Sequence, residues 1–202
     1  MPRLSADERR ERLLDAATIV IARDGLAGTT TRAITDEAGM PRGMFHYCFD
    51  SKDQLLEQLV QRHVRDMVAE ACAAWDPAAS LVGNLTRGLQ EILRFGGANK
   101  SEEIFTYELT IFALRSQAPA ITTRAQYADY AAQARTYLEF VADRAEVDWT
   151  VPIDVLSRVV ATFVDGSMLW WLADDDAAAA DTALAGFADM LANATSARSV
   201  PA

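Results

Sequence analysis

The chain has 202 residues, of which 50% are hydrophobic and 24% are charged, and its formal net charge at pH 7 is −10. This composition is typical of a globular protein, and two cysteines, Cys48 and Cys72, argue against a disulfide framework. No apolar stretch approaches the ~18 residues that a membrane span needs, and the charged N-terminus lacks the apolar core of a signal peptide. We therefore expect a cytoplasmic protein with no membrane partner.

The charge is unevenly distributed along the chain. Residues 1–53 carry eight Lys/Arg against nine Asp/Glu, whereas residues 54–202 carry 11 against 20. An acidic body repels nucleic acid, so any contact with DNA has to be local and oriented. The bulk charge therefore argues mildly against a nucleic-acid partner without deciding the matter.

Helical signals begin at the N-terminus. Ser5–Glu8 has the pattern of a capping box, and apolar residues at helical spacing follow over Leu13–Ile21. Gly25 is a typical helix end. Thr29–Ala38 then reads as a short second helix with a threonine N-cap, broken by Gly39.

The next two helices are separated by a short capping segment. Pro41 favours a helix start, and the third helix is predicted to run to about Cys48. Asp50–Asp53 caps a fourth helix, whose apolar residues keep helical spacing from Leu56 to Trp75.

Five further helices are predicted, and no strand pattern or hairpin signal is present. They are Pro77–Gly97, Ser101–Ser116, Pro119–Glu146, one that begins at Pro152, and one that follows the acidic Asp174–Asp176. The fold class is therefore all-α, with about nine helices.

Two short helices that meet at a glycine-centred turn and pack on a longer first helix form a helix-turn-helix. In this motif the second helix, here Arg42–Cys48, enters the major groove of DNA. Gly43 allows close approach of the backbone, and Arg42 can pair with guanine or phosphate. Phe45 and Phe49, one turn apart, would face inward and anchor the helix.

The segment LLDAATIVIARDGLAGTTTRAITDEAGMPRGMFHYCFDSKDQLL resembles the DNA-binding domain of the TetR family of transcriptional regulators. The resemblance covers residues 9–60. The matching residues at the family's spacing are Ala17, Gly25, Thr29, Thr30, Ile34, Ala38, Gly39, Gly43, Phe49, Lys52 and Leu55.

The resemblance implies which residues bind DNA. Many relatives carry Ser or Thr where Pro41 stands, so a hydroxyl contact is absent here. His46 occupies the position of the family's common tyrosine and Tyr47 follows it, so which of the two reaches phosphate stays open. The implied DNA-binding residues are Thr30, Thr31, Pro41, Arg42, Gly43, Met44, His46, Tyr47 and Lys52.

The resemblance also implies two domains. Residues 1–53 would form the DNA-binding domain and residues 54–202 the effector-binding and dimerisation domain, with helix 54–75 connecting the two. The last two helices would pair with those of a second copy in a four-helix bundle. The predicted interface residues are Val155, Val159, Phe163, Leu184, Phe187, Met190 and Leu191.

Helices five to eight would enclose an effector pocket, and the family's commonest effectors are apolar or aromatic small molecules. Glu108 is predicted to lie on an apolar helix face, where a charge is costly unless paired. It would either form a salt bridge or anchor a ligand. The candidate effector-binding residues are Phe105, Glu108, Phe112, Tyr137 and Trp170.

The remaining reactive residues indicate neither a metal site nor an enzyme. His46 and Cys48 are two positions apart and so point to different sides of their helix. His63 lies on the apolar stripe of the fourth helix and is predicted to be a satisfied histidine between the domains. With no nucleophile–base pair and no metal-ligand spacing, we expect no enzymatic activity, no metal and no cofactor.

The expected function is a homodimeric, ligand-responsive transcriptional regulator, a repressor that binds a near-palindromic operator and is released by a small-molecule effector. The fourth helix, from Lys52 to Trp75, would couple the two sites. Two alternatives stay open. The first is a ligand-dependent activator or a co-repressed regulator. The second is an all-α protein-interaction module with a degenerate DNA-binding domain.

Overall fold

The computed structural model describes residues 5–98, 100–115 and 123–198. The all-α prediction is confirmed. Two short strands, β1 (Val147–Trp149) and β2 (Thr195–Ala197), pair antiparallel and were not predicted. The helices are α1 (Ala6–Gly28), α2 (Thr31–Glu37), α3 (Gly43–Cys48), α4 (Lys52–Ala73), α5 (Leu81–Ala98), α6 (Lys100–Arg115), α7 (Thr123–Ala145), α8 (Ile153–Asp174) and α9 (Ala177–Asn193).

Helix α1 begins at the predicted capping box. The Ser5 hydroxyl accepts a hydrogen bond from the Glu8 amide (3.1 Å), and the Glu8 carboxylate accepts one from the Ser5 amide (2.6 Å). At Gly25 the backbone has φ 67°, a conformation that favours glycine, and α1 continues beyond this kink to Gly28. The predicted helix end at Gly25 is therefore a break in the helical conformation, after which α1 continues to Gly28.

The predicted start of the fifth helix at Pro77 is wrong. The side chain of Asn84 folds back on Asp76: its Nδ2 donates to the Asp76 carbonyl (2.9 Å) and its Oδ1 accepts from the Asp76 amide (2.8 Å). The Ser80 hydroxyl accepts from the Gly83 amide (3.1 Å), as an N-cap does. These bonds hold a turn before α5, so the helix begins at Leu81. The predictions at Ser116 and Pro119 lie outside the described residues.

Packing divides the chain into two compact units. The N-terminal unit comprises Met1–His63 and Asn99–Gln126, and the C-terminal unit comprises Val64–Ala98 and Tyr127–Ala202. In the N-terminal unit α1 packs against α2, α3 and α6, and in the C-terminal unit α5 packs against α8 and α9. This division by packing cuts α4 and α7, and it leaves the functional boundary at residue 53 a prediction.

Helix α8 has an unexpected composition. By length and hydropathy alone it is the one described helix that could cross a membrane, and only 22% of its apolar stretch is buried. The expectation from the sequence overlooked this helix. A single helix of this kind is weak support for a membrane protein, because helices of soluble proteins meet the same criterion.

Candidate nucleic-acid interface

The start of α2 and the turn after it are fixed by local bonds. Thr30 is the N-cap of α2, and its hydroxyl accepts a hydrogen bond from the Ala33 amide (3.1 Å). Thr31 is the first residue of the helix and is half-buried. Gly39 follows α2 with φ 62°, a left-handed conformation that allows the chain to turn sharply towards α3. The second and third helices are therefore joined by the predicted glycine-centred turn.

Helix α3 separates a buried aromatic side from an exposed polar side. Phe45 and Phe49 are each 1% exposed, and their ring centroids lie 5.8 Å apart. Their predicted inward orientation is confirmed. Of the predicted DNA-binding residues, Met44 is half-buried and the others in and before α3 are exposed: Pro41, Arg42, Gly43, His46 and Tyr47. The two phenylalanines thus anchor a helix whose opposite side is open to a partner.

Lys52, at the start of α4, has a structural contact that the sequence did not predict. Its Nζ donates a hydrogen bond to the Thr29 carbonyl (3.1 Å), and the Thr29 hydroxyl donates to the Gly25 carbonyl (2.8 Å). Lys52 therefore ties the start of α4 to the residue before the α2 N-cap. Its remaining ammonium hydrogens leave a phosphate contact chemically possible.

A buried charged cluster joins α4 to α6 within the N-terminal unit. His63 is 5% exposed, its Nδ1 lies 3.0 Å from the Glu102 carboxylate, and its Nε2 lies 2.7 Å from that of Glu103. Burial by itself would lower the pKa of His63, but the hydrogen bonds to Glu102 and Glu103 outweigh it and raise the pKa to about 9. His63 is therefore an imidazolium at neutral pH.

This cluster confirms that His63 is satisfied, and its geometry does not suit a metal. Both ring nitrogens already face a carboxylate oxygen, and a protonated ring nitrogen has no lone pair to offer a metal. Among the described residues there is no group of three or more His, Cys, Asp and Glu side chains that could hold a metal ion. Glu102 and Glu103 were not identified from the sequence as the partners of His63. The missed signal is the spacing of Glu103 with Thr106 and Thr110, which share the buried face of α6.

The predicted burial of Glu108 is wrong. Its side chain is exposed, and the buried carboxylate of α6 is that of Glu103. The other four candidate effector residues do not share one environment either. Phe105 and Tyr137 are each 2% exposed, in the N-terminal and the C-terminal unit respectively, whereas Phe112 and Trp170 are 58% and 74% exposed.

The predicted dimer-interface residues fall into two groups. Leu184, Phe187 and Leu191 are buried inside the protomer, and Phe163 stacks on Phe187 with ring centroids 3.8 Å apart. These four residues are therefore engaged within their own chain. The apolar pattern of α8 and α9 could not show which partner buries each face. The residues that stay exposed are Val155, Val159 and Met190.

The sequence and the fold both match known proteins. The profile described as "Bacterial regulatory proteins, tetR family" matches residues 13–59. The nicotine-responsive transcriptional repressor HdnoR of Paenarthrobacter nicotinovorans is 26% identical over 172 residues, which cover 85% of this chain and 88% of that protein.

Solved structures show the same similarity. The multidrug binding protein EbrR, crystallised with imidazole, is 29% identical with a TM-score of 0.63, and the match covers 96% of this chain and 97% of EbrR. A TetR-family regulator from Streptomyces coelicolor shares the fold at 18% identity and a TM-score of 0.69, over 93% of this chain and 82% of that one. TetR-family proteins are DNA-binding transcriptional regulators and not enzymes. Residues 13–59 therefore carry the helix-turn-helix domain of the TetR family of transcriptional regulators, and the chain is similar to regulators of that family over most of its length.

Proposed function

We propose that this regulator is a cytoplasmic homodimeric repressor that binds a near-palindromic operator and is released by a small-molecule effector. The observation that carries the proposal is the two-sided α3. Phe45 and Phe49 fix one side in the core, while Arg42, His46 and Tyr47 stay open on the other. A recognition helix needs this combination of a rigid anchor and free polar side chains at its N-terminal part.

Each exposed residue of α3 suits a contact with DNA. Arg42 at the N-cap position suits a bidentate contact to guanine or a phosphate. A Cβ at Gly43 would meet no protein atom within 4 Å, so packing within the chain does not require glycine there. Close approach to DNA would require glycine, because a side chain at that position would hold the backbone away from the groove. Thr30, Thr31 and Lys52 would position the motif on phosphates.

Homodimerisation is supported by exposed apolar faces on α8 and α9. Val155 and Val159, 54% and 47% exposed, form a stripe on α8 that continues to Leu169 and Trp170. Met190 is 68% exposed on α9, and a Cβ at Gly186 would meet nothing within 4 Å. Small residues next to exposed apolar ones allow close helix packing. A second copy is the partner that also supplies the second recognition helix for a palindrome.

A small-molecule effector is supported by the two relatives that match over most of the chain. HdnoR responds to nicotine, and EbrR is a multidrug binding protein crystallised with imidazole. In this chain the effector would act through α4, which begins at Lys52 beside α2 and continues to Ala73 in the C-terminal unit. Nicotine and imidazole are therefore the first probes to test for release of bound DNA.

Selection from randomised duplex DNA tests the proposal. We expect the wild-type protein to enrich a near-palindrome. Arg42→Ala is expected to weaken binding by about 1–3 kcal/mol and to relax the preference at one base pair of each half-site. Arg94→Ala is the matched control, since it removes the same charge from an exposed side chain of α5. Enrichment without two-fold symmetry, or an Arg42→Ala protein with unchanged selection, would contradict the proposal.

Dimerisation has its own test. Val159→Asp places a charge on the exposed stripe of α8 and is expected to convert the dimer to a monomer in sedimentation velocity. Thr136→Asp is the matched control, since it places the same charge at an exposed threonine on α7, away from that stripe, and is expected to leave sedimentation unchanged. A wild-type protein that sediments as a monomer at micromolar concentration would contradict the proposed assembly.

A further inference from the structure

We propose that α1 carries a second phosphate-binding surface, formed by Arg9 and Arg12 at the edge of α3. We call this pair the α1 arginines. The inference rests on the proposed operator binding and adds a contact outside the helix-turn-helix. It names the sugar–phosphate backbone that flanks the bases read by α3 as the partner of this surface.

The charged residues of α1 are sorted by face. Glu11 and Asp15 both accept hydrogen bonds from one guanidinium nitrogen of Arg62 on α4, at 3.1 and 2.8 Å. Glu8 accepts from the Ser5 amide at 2.6 Å. Glu8, Glu11 and Asp15 are thus bound to α4 or to the helix cap, whereas Asp7 is exposed in the first turn. This sorting matters because the protein as a whole is acidic and would repel DNA.

Arg10 has a different role from its neighbours. Its Nε donates to the Gln58 side chain at 2.8 Å, and its guanidinium lies 4.5 Å from the centroid of the buried Phe49 ring. Arg10 therefore holds α1 to the core that anchors α3. It is not part of the proposed surface, because its guanidinium is directed inward.

The α1 arginines lie three residues apart and so share one face of the helix. The guanidinium carbon of Arg9 is 5.6 Å from the centroid of the Tyr47 ring, and Tyr47 is 69% exposed on α3. Stacking on Tyr47 holds the Arg9 guanidinium beside the exposed side of α3.

Arg12 lies beside the turn between α2 and α3, which precedes the recognition helix. Its side chain is exposed, and an Nη2 atom lies 3.5 Å from the position that a Cβ at Gly39 would occupy, at the turn between α2 and α3. Within the part of the chain that the structure describes, Arg12 forms no salt bridge. One guanidinium thus lies beside α3 and a second lies beside the turn that precedes it.

This geometry fits the walls of a major groove. A helix inserted in the groove is flanked by phosphates on both strands, and arginine binds phosphate with two parallel hydrogen bonds. The N-terminus of α2 and Lys52 would grip the backbone from one side of α3. The α1 arginines and the Tyr47 hydroxyl would grip it from another. Such contacts add affinity and register without reading bases.

Salt dependence of DNA binding tests the inference. The operator from the selection experiment is titrated with salt against wild type, Arg9→Ala, Arg12→Ala, the double variant, and Arg94→Ala as the charge-matched control. Each lost phosphate contact lowers the log–log salt slope by about 0.9, hence by roughly 1.8 for a dimer. We expect this decrease in each single variant, with roughly tenfold weaker binding to the operator and to a scrambled duplex alike.

Two further measurements separate the mechanisms. Arg9→Lys keeps the charge and is expected to retain the slope, which guards against loss of folding in Arg9→Ala. Ethylation interference is expected to lose a phosphate position in Arg12→Ala relative to wild type. Slopes equal to that of Arg94→Ala, with wild-type interference, would overturn the inference while leaving operator binding intact. Absence of DNA binding by the wild type would overturn both proposals.

Discussion

The helices within the N-terminal unit and those within the C-terminal unit are joined by different kinds of contact. In the N-terminal unit, charged side chains join one helix to another. His63 is bound to Glu102 and Glu103 with its side chain 4% exposed, and Lys52 ties α4 to the start of α2. In the C-terminal unit the buried contacts between helices are aromatic and aliphatic, as in the stacking of Phe163 on Phe187.

Because of this difference, we expect the stability of the two units to respond to different kinds of substitution. Charged contacts are directional, and a buried one is costly to break because the remaining charge is left unpaired. Apolar contacts depend on volume, so they respond to added or missing atoms. The ion pairs of the C-terminal unit, such as that of Arg135 with Asp154, lie at exposed side chains and are expected to contribute little. The unit that presents α3 should therefore respond to charge, and the other unit to volume.

Removal of the buried imidazolium is expected to have the largest effect. His63→Leu leaves the buried Glu103 carboxylate, 7% exposed, without its cation. We expect a loss of about 3–5 kcal/mol in the free energy of unfolding, measured by urea titration. Arg62→Ala is the matched control one residue away, where the partners Glu11 and Asp15 are 60% and 68% exposed and the expected loss is about 1 kcal/mol or less. Equal losses in the two variants would remove the distinction between buried and exposed charges.

The same cluster predicts a dependence of stability on pH. The pKa of His63 is raised to about 9 in the folded state, against ~6.5 in the unfolded chain. Its contribution is therefore fully present below pH ~6.5 and is lost as the pH rises through 9, by roughly 3 kcal/mol at most. Urea midpoints at several pH values between 6 and 10 measure this loss. His63→Gln is the control, and a wild-type curve parallel to the variant's would contradict the assignment.

Local features of the N-terminal helices could be predicted from the sequence, whereas contacts with distant residues could not. The capping box at Ser5–Glu8 and the spacing of Phe45 and Phe49 act over a few residues, so they can be read from the chain directly. The partners of His63 cannot, because Glu102 and Glu103 lie 39 and 40 residues away. Tertiary packing selected them.

The C-terminal unit shows the same limit in apolar residues. Periodicity identified the buried faces of α8 and α9 but not what covers them, so Leu184, Phe187 and Leu191 were assigned to a dimer interface although the protomer buries them. The pairing of β1 with β2 was missed because each strand has only three residues and the two are far apart in sequence.

A volume change tests the C-terminal unit. A Cβ at Gly88 on α5 would overlap the hydroxyl oxygen of Tyr137, which is 2% exposed. Gly88→Ala is therefore expected to cost about 1–3 kcal/mol in the free energy of unfolding. Tyr137→Phe in the same chain removes the clashing oxygen and should recover part of that loss. A double variant no more stable than Gly88→Ala alone would show that the close approach to the ring, and not the hydroxyl, sets the cost.

The smallest expected effects distinguish a stabilising residue, Thr30, from a proposed DNA-contact residue, Thr31, at the start of α2. Thr30 caps the helix through its hydroxyl, which accepts from the Ala33 amide, whereas Thr31 is not the cap. Thr30→Ala should lower the free energy of unfolding by about 1 kcal/mol, with Thr30→Ser restoring it. Thr31→Ala should leave stability within about 0.5 kcal/mol of wild type while weakening operator binding. If Thr31→Ala destabilises the fold as much as Thr30→Ala does, its hydroxyl has a structural role, and a change in DNA affinity would no longer identify it as a phosphate contact.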